Sequence, residues 1–517
     1  MLSKPADVFD RDAEWVDLVE FATSRLPGLR IAVVYGRRRQ GKSYLLRRLA
    51  DACGGLYHLA TEQTETVSVR RFAESLAGWS GMPRSALAFD GWEAALTSAA
   101  SLMSSRAGAG DGAPPLLVLD EFPYLVRETP GLPSIVQALY DSIGPGSTST
   151  RAPLRLVLCG SAISVMSDLL SGTKALRGRG ALELRVKPFG FRDARSYWGI
   201  QSTHVAFVHN ALAGGTPGYR ELVPDPSVPE DAGLLGGWVA RNLLRPTAPL
   251  FGEANRLVHE DPRIRDSAVY GSLMAAIAAG ESSPAKIGGL LGRPSSSLTY
   301  QLRMLESAGF IERRQDLLVD RRPTITVADP VVRLHHLVIE PYLADLEAGR
   351  AAQVWQEVAH TVDSKILGPH FEALATEWVT RHAGEEAGLR VGVTGHATVA
   401  CPEHKASHEI DILSLKRGAR PRSAGAGIAF IGEAKHRERA PGMGQLRRLE
   451  HVRDLLAANG HDVSHAVLGL FSTSGFTNEL TTAAADDGSI QLASLEQLYG
   501  GSTPDGGLDL RDEALSE

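Results

Sequence analysis

Apolar and polar positions change period several times along the chain, and each change marks an element. Short runs rich in Val, Leu and Ile occur at 31–35 (IAVVY), 116–119 (LLVL) and 154–159 (LRLVLC). Between them lie stretches of helical period, such as SVRRFAESLAGW at 68–79 and GWEAALTSAASLM at 91–103. Wholly apolar short strands alternating with helices predict an α/β fold with a parallel sheet covered on both faces. Two stretches rich in Gly, Pro and Ser, 104–115 and 144–153, read as loops.

From about 190 to 260 the pattern is helical, broken by GGTPGYR (214–220) and PDPSVPED (224–231). Three helical patterns follow, at 270–280, 284–292 and 294–309, then a strand-like pair, FIERR (310–314) and PTITVAD (323–329). Three helices and a two-stranded wing are the outline of a winged helix, and Leu298, Leu302 and Leu305 form its core stripe. After a helical bridge, the last segment reads as a helix (GPHFEALATEWVTRHA), then strands around 408–415 and 427–434. A helix at 442–457, a strand at 465–471 and a closing helix complete it.

Length and composition narrow the classes. The 517 residues amount to about three typical domains. With 43% apolar and 22% charged residues the chain is not mostly disordered. A net charge of −6 argues against a whole-molecule grip on nucleic acid and leaves only local basic patches. Cys53, Cys159 and Cys401 share no metal-like spacing and cannot build a disulfide framework, which points to a reducing compartment. No apolar run approaches the roughly 18–20 residues of a membrane span. The acidic start MLSKPADVFDRDAEW is unlike a signal peptide. A soluble, cytoplasmic protein without membrane contact is expected.

The most specific motif is Gly36-Arg37-Arg38-Arg39-Gln40-Gly41-Lys42-Ser43, which fits G-x-x-x-x-G-K-[ST] between a predicted strand and a helix. Such a loop turns successive backbone N–H groups and a helix N-terminus towards phosphates. Lys42 would reach the β- and γ-phosphates and Ser43 would ligate Mg²⁺. Downstream, the run 116–119 ends in Asp120-Glu121, where Asp120 suits the metal and Glu121 a catalytic role towards water. ATP is favoured over GTP because no N-K-x-D motif occurs. Ser161, closing Cys159-Gly160-Ser161, can sense the γ-phosphate or simply turn the chain. Arg177 and Arg179 are transition-state cations or surface charges.

Two later features also bear on chemistry. Between 265 and 330, eight basic residues face seven acidic ones, a net of +1. Any DNA contact there would rest on Arg313, Arg314, Arg321 and Arg322 in the wing, but so small a net charge favours an internal packing or regulatory module over specific DNA reading. In the last segment, Glu409 and Asp411 share one face of a strand, as do Glu433 and Lys435 on the next, while Ile410, Phe430 and Ala434 suit an opposite, buried face. Asp411, Glu433 and Lys435, with Glu372 from the preceding helix, would suit Mg²⁺- or Mn²⁺-dependent phosphodiester cleavage. A strand pair with a salt-bridged face would carry the same residues.

Taken together, FDRDAEWVDLVEF, VVYGRRRQGKSYLL, LDEFPYLV, LCGSAISVM, GGTPGYR, ADPVVRLHH, LGPHFEALATEW and GEAKH resemble the archaeal-type ATPase family. That family is similar to signal-transducing (STAND) P-loop ATPases and carries a C-terminal domain resembling PD-(D/E)xK nucleases. The resemblance implies nucleotide and Mg²⁺ binding by Gly36, Gly41, Lys42, Ser43, Asp120 and Glu121. It also implies a nucleotide contact at Pro217 and a nuclease-like set of Asp411, Glu433 and Lys435 with Glu372 accessory. The implied layout is a P-loop core at 1–190, a helical lid at 191–262 and a winged helix at 263–335. A helical bridge at 336–363, a restriction-endonuclease-like α/β domain at 364–500 and a flexible tail at 501–517 would follow. Expected ligands are ATP and Mg²⁺, with a second Mg²⁺ or Mn²⁺ at the C-terminal domain. DNA, a protein partner or a second copy of the chain are the open possibilities for macromolecular contact.

Overall fold

In the computed structural model, residues 2–107, 113–147, 153–171, 174–260, 264, 267–320, 323–403 and 405–501 are described. Arg321, Arg322 and all but the first residue of the expected tail lie outside them. The first sheet holds β1 (Leu29–Tyr35), β2 (Leu56–Leu59), β3 (Leu116–Asp120), β4 (Leu154–Gly160) and β5 (Gly180–Arg185). They are parallel and ordered β2-β3-β4-β1-β5. Every residue of β3 and β4 is buried, because helices cover both faces. Ile31, Val33, Leu156 and Leu158 pack with Phe72, Trp92 and Phe122 on one face. Ala32, Val34, Val157 and Cys159 pack with Trp15, Leu45 and Leu49 on the other. β2 and β5 were not evident in the apolar pattern. β2 has only four residues, and β5 (GALELR) alternates exposed and half-buried positions at the sheet edge.

One buried cation ties this sheet to its first connection. Arg155 is fully buried in β4, and its guanidinium donates to the carbonyls of Phe21, Ser24, Leu26, Gly28 and Leu154. The segment between the first helix (Asp12–Thr23) and β1 is therefore fixed by a side chain that spends its whole donor set on backbone oxygen.

Helices follow at Phe191–Trp198, Thr203–Ala213, Ala232–Asn242 and Glu253–Glu260, over the segment expected to form a lid. Next come helices Ser267–Ala278, Pro284–Leu290 and Thr299–Ser307, then the antiparallel pair β6 (Ile311–Arg314) and β7 (Thr324–Val327). Leu298, Leu302 and Leu305 are buried at the centre of this unit. The second large sheet comprises β8 (Thr394–Cys401), β9 (Ala406–Leu415), β10 (Ile428–Lys435), β11 (Val467–Ser472) and β12 (Ile490–Ser494). Its order is β12-β11-β10-β9-β8, antiparallel from β8 to β10 and parallel from β10 to β12. β8 and β12 escaped the sequence pattern because TGHATVAC and IQLAS mix small, polar and apolar residues.

Two features of this sheet position its polar end. The pairing of β9 with β8 shifts between Gly395 and Ala397, so Asp411 and Ile412 together oppose His396. This bulge breaks the strict alternation expected from sequence. Ile410 packs beneath helix Met443–Ala458, whereas Phe430 and Ala434 lie on the other face, towards helix Gly368–Arg381. The expectation of one apolar face shared by Ile410, Phe430 and Ala434 is thus corrected: both faces are covered, and the charged residues gather at the strand ends. The same core is continuous with the lid, since Phe207, Trp238, Val338, Val354, Phe371, Phe430 and Phe471 belong to one buried cluster. No helix among the described residues is long and apolar enough to cross a membrane.

Replacing Arg155 by Met should destabilise the chain by about 3 kcal/mol or more, because several buried carbonyls lose their donor at once. Urea unfolding followed by tryptophan fluorescence measures this, and an unchanged transition would show that the carbonyls find other partners.

Candidate functional site

β1 delivers the chain into the loop Gly36–Gly41, and helix Lys42–Cys53 leaves it. Two glycines shape the turn for different reasons. A Cβ at Gly36 would stand 2.3 Å from the Val186 carbonyl oxygen, and Gly41 has φ 87°, which favours glycine. The loop thus brings its backbone N–H groups to the start of the helix, where the dipole adds positive potential. Lys42 is buried, and its Nζ donates to the Arg37 carbonyl at 2.8 Å. Burial lowers its pKa, opposed by Cys159, Glu121 and Asp120. Ser43 occupies the same first helical turn.

The strand ends opposite complete a polar pocket. Asp120 is fully buried; one oxygen accepts from the Glu121 N–H at 2.9 Å and the other from the Tyr57 hydroxyl. The Ser43 hydroxyl and the Asp120 carboxylate are hard oxygen donors of the kind that fit Mg²⁺. Glu121 stands in the left-handed region at φ 52° and accepts from the Ser161 hydroxyl at 3.0 Å. Burial, followed by the charge of Asp120, pushes the Cys159 thiol well above its usual range. The Pro217–Tyr219 turn lies directly over the loop: the Gly218 N–H donates to the Arg39 carbonyl at 3.0 Å, and a Cβ on Gly218 would meet the Arg39 Cβ at 2.7 Å. Arg179 stands apart, paired with Asp141 at 2.9 Å on the surface.

The loop arginines carry a signal that spacing did not show. Arg37 pairs with Asp329 at 3.0 Å, and its guanidinium lies 5.1 Å from the Phe310 ring centroid. Arg38 donates to the Tyr124 hydroxyl. Arg39 makes a two-point contact with the buried Glu253, at 2.6 and 3.3 Å. Asp329 also accepts from the Tyr219 hydroxyl at 3.1 Å and from the N–H groups of Val331 and Val332. Each loop arginine therefore reaches a different segment, and Arg38 also stays near enough to Lys42 for the two charges to repel.

A second polar cluster sits at the ends of β9 and β10. Asp411 accepts from the Ala434 N–H at 2.9 Å, and Lys435 lies 2.7 Å from Glu433 and 3.6 Å from Asp411. Arg448, from helix Met443–Ala458, pairs with Glu433 and was not anticipated. A buried oxygen of Glu433 has no hydrogen-bond partner among the described residues, which suits a cation there. Glu372 keeps an edge open to solvent, although protein crowds it. That crowding, then Asp411, pushes its carboxyl up to about 7 against the pull of Lys435 and Arg314. Burial also raises the Asp411 pKa, opposed by Lys435 and the Ala434 N–H. Among the described residues, Glu372 does not join Asp411 and Glu433 closely enough for the three to share one ion. Arg313 pairs with Glu306 and Arg314 with Glu312.

The Glu372 shift has a definite sign. Its carboxyl ionises near the ordinary 4.5 in the unfolded chain and at about 7 when folded. Folding therefore disfavours the ionised form, and stability falls as pH rises through that window, then levels off. Glu372→Gln should gain thermal stability relative to the parent between these pH values and hold a constant lead above them. Parallel melting curves across the range would contradict this.

Comparison with known proteins identifies the first of these sites. Residues 8–199 match a family model described as an ATPase domain predominantly from Archaea. An uncharacterized protein of Methanocaldococcus jannaschii is 26% identical over 344 residues, covering 66% of this chain and 70% of its own. The structure of a Walker-type ATPase of Pyrococcus abyssi aligns at TM-score 0.48 and 20% identity, over 64% of this chain and 97% of its own. A STAND protein of Pyrococcus horikoshii with a tetratricopeptide repeat sensor aligns at TM-score 0.28 and 13% identity, over 75% of this chain and 52% of its own. Residues 8–199 thus belong to the archaeal ATPase family, and the chain carries an ATP-binding P-loop ATPase domain.

Proposed function

We propose that the chain is an ATP-hydrolysing switch whose nucleotide state gates a nuclease-like C-terminal domain through the lid and the winged helix. One observation carries this reading: Arg37 and Arg39, inside the phosphate loop, are ion-paired with Asp329 at the exit of the winged helix and Glu253 in the lid. The wing in turn rests on the C-terminal domain. Leu317 is buried within that domain's core, its N–H donates to the His396 carbonyl at 3.1 Å, and Thr324 hydrogen-bonds the His396 ring at 3.0 Å.

Within the phosphate site, Lys42 is held by the Arg37 carbonyl until phosphate oxygens offer a stronger acceptor. Its transfer would free that carbonyl, and the loop movement would be felt at the Arg37–Asp329 pair. Ser43 and Asp120 would hold Mg²⁺, which would supply positive charge to offset that of the phosphates. Glu121 would orient the attacking water, and a γ-phosphate would compete with Glu121 for the Ser161 hydroxyl that now donates to it. Pro217, over the loop, would close on the nucleotide. The two arrangements must differ in ATP affinity for the switch to work.

At the C-terminal cleft, Asp411 and Glu433 would hold Mg²⁺ or Mn²⁺ beside a DNA phosphodiester, with Glu372 as an outlying carboxylate. The metal would activate water and stabilise developing charge. Lys435, which lies beside both Glu433 and Asp411, would add a positive charge next to the scissile phosphate.

Lys42→Ala should abolish ATP hydrolysis, and Glu121→Gln should retain ATP binding while losing about 100-fold or more in turnover. Fluorescent-nucleotide titration and phosphate release measure the two effects; parent-like hydrolysis by Lys42→Ala would overturn the ATPase assignment of this loop. For the C-terminal domain, linear, circular and branched DNA are offered to the parent, Asp411→Ala and Lys42→Ala with Mg²⁺ or Mn²⁺ and each nucleotide. Cleavage that is lost in Asp411→Ala and loses its nucleotide dependence in Lys42→Ala is expected. Absence of cleavage, or equal cleavage by Asp411→Ala, would overturn the nuclease half of the reading.

A further inference from the structure

Cys401, His408 and His451 converge on a point separate from both clusters described above. Cys401 closes β8 and His408 lies on β9, where Cys401 pairs with Ala406 and Val399 pairs with His408. The two are diagonal neighbours on one face of an antiparallel pair, within reach of each other's side chains. His451 approaches that face from helix Met443–Ala458. One donor atom from each of the three residues lies within 4.8 Å of the other two. Cys401 is buried and both histidines are half-buried, and the Cys401 sulfur stands 3.5 Å from His451 Nε2.

We propose that these three residues bind a zinc-class ion. Zinc prefers four ligands at tetrahedral angles, with Zn–S near 2.3 Å and Zn–N near 2.0–2.1 Å, which places a bound sulfur and nitrogen about 3.6 Å apart. The sulfur–nitrogen separation already has that value, so the site needs little rearrangement to close on the ion. A thiol–imidazole hydrogen bond would account for that one separation, but it does not require a second imidazole at the same point. The donor set also sets the selectivity. A thiolate and two imidazoles suit Zn²⁺ or Co²⁺, whereas Mg²⁺ and Mn²⁺ prefer oxygen and would go to the carboxylates. Binding converts the Cys401 thiol to a thiolate and releases one proton to solvent, while each neutral histidine contributes a nitrogen lone pair.

The ion would act as a clamp behind the carboxylate cleft. His451 and Arg448 are three residues apart and share one face of their helix. Arg448 reaches Glu433 and the Glu409 carbonyl. Fixing His451 to the β8–β9 hairpin would therefore also fix the helical turn that presents Arg448.

The test uses the full chain, stripped with chelator and dialysed, then titrated with Zn²⁺ and separately with Co²⁺. One Zn²⁺ per chain is expected by elemental analysis. The Co²⁺ form should show a thiolate-to-metal charge-transfer band and the intense visible bands of a tetrahedral site. Cys401→Ser should lose the charge-transfer band. His408→Gln and His451→Gln should each weaken Zn²⁺ binding by more than about 100-fold, beyond the effect of an outer-shell partner. His336→Gln, in the other histidine cluster at His335, His336 and Glu340, should change nothing. Circular dichroism of each metal-free variant identifies those that fold, and only these are compared. Sub-stoichiometric zinc in the parent, a cobalt form without the thiolate band, or binding retained in folded Cys401→Ser or His451→Gln would each overturn the proposal.

Discussion

A buried carboxylate has to be neutralised by whatever surrounds it, and Asp329 is neutralised by three parts of the chain at once. It accepts from Arg37 of the phosphate loop, from Tyr219 of the turn above that loop, and from the first N–H groups of the helix that leaves the three-helix unit. Removing any one partner of such an ion pair leaves an uncompensated charge, at a cost of about 3–5 kcal/mol. Loop, turn and helix are thereby held in one relative arrangement. Arg39 and the buried Glu253 repeat the arrangement towards the lid. The phosphate loop is thus the place where three segments meet, in addition to being a cradle for an anion.

What lies beyond that meeting point is mechanically continuous. Leu317, from the loop joining β6 and β7, inserts into the core of the C-terminal domain. The lid helices, the bridge and one face of the second sheet bury their side chains in one cluster. Interiors of this density repack between discrete arrangements and do not deform smoothly. In the proposed switch, a displacement at Asp329 would be passed on by these packed elements.

Much of this was legible in the sequence, and the parts that were not have physical reasons. Gly36–Ser43 and Asp120-Glu121 are read from contiguous residues, because strand, loop and helix follow one another directly in the chain. Leu298, Leu302 and Leu305 declared themselves by helical spacing and are buried as expected. Asp411, Glu433 and Lys435 were visible as a pattern and do come together, but the bulge at Asp411 and Ile412 was not, since a bulge is set by the partner strand. Arg37 and Arg39 were read only as members of the phosphate loop, and Arg448 was not singled out, because their ion-pair partners do not adjoin them in sequence. Cys401 gave no sign for the same reason: a mixed set of one sulfur and two imidazoles, drawn from two strands and a helix, has no linear spacing to detect. The edge strands β2 and β5 were hidden by their shortness and their half-polar surface.

The distribution of cores also bears on how such a chain can be assembled and exchanged over evolutionary time. The two clusters that flank the first sheet draw only on residues before Pro188, so that sheet with its helices closes on itself. The next cluster begins at Phe191 and does not close until Tyr499. A break near residue 190 would leave the apolar clusters on either side whole but strand the buried Asp329 and Glu253 without Arg37 and Arg39. One near residue 363 would divide a single interior, leaving Phe207 and Trp238 without Phe371 and Phe430. The helices between 191 and 260 and the C-terminal sheet therefore close one interior together, and neither completes its core without the other.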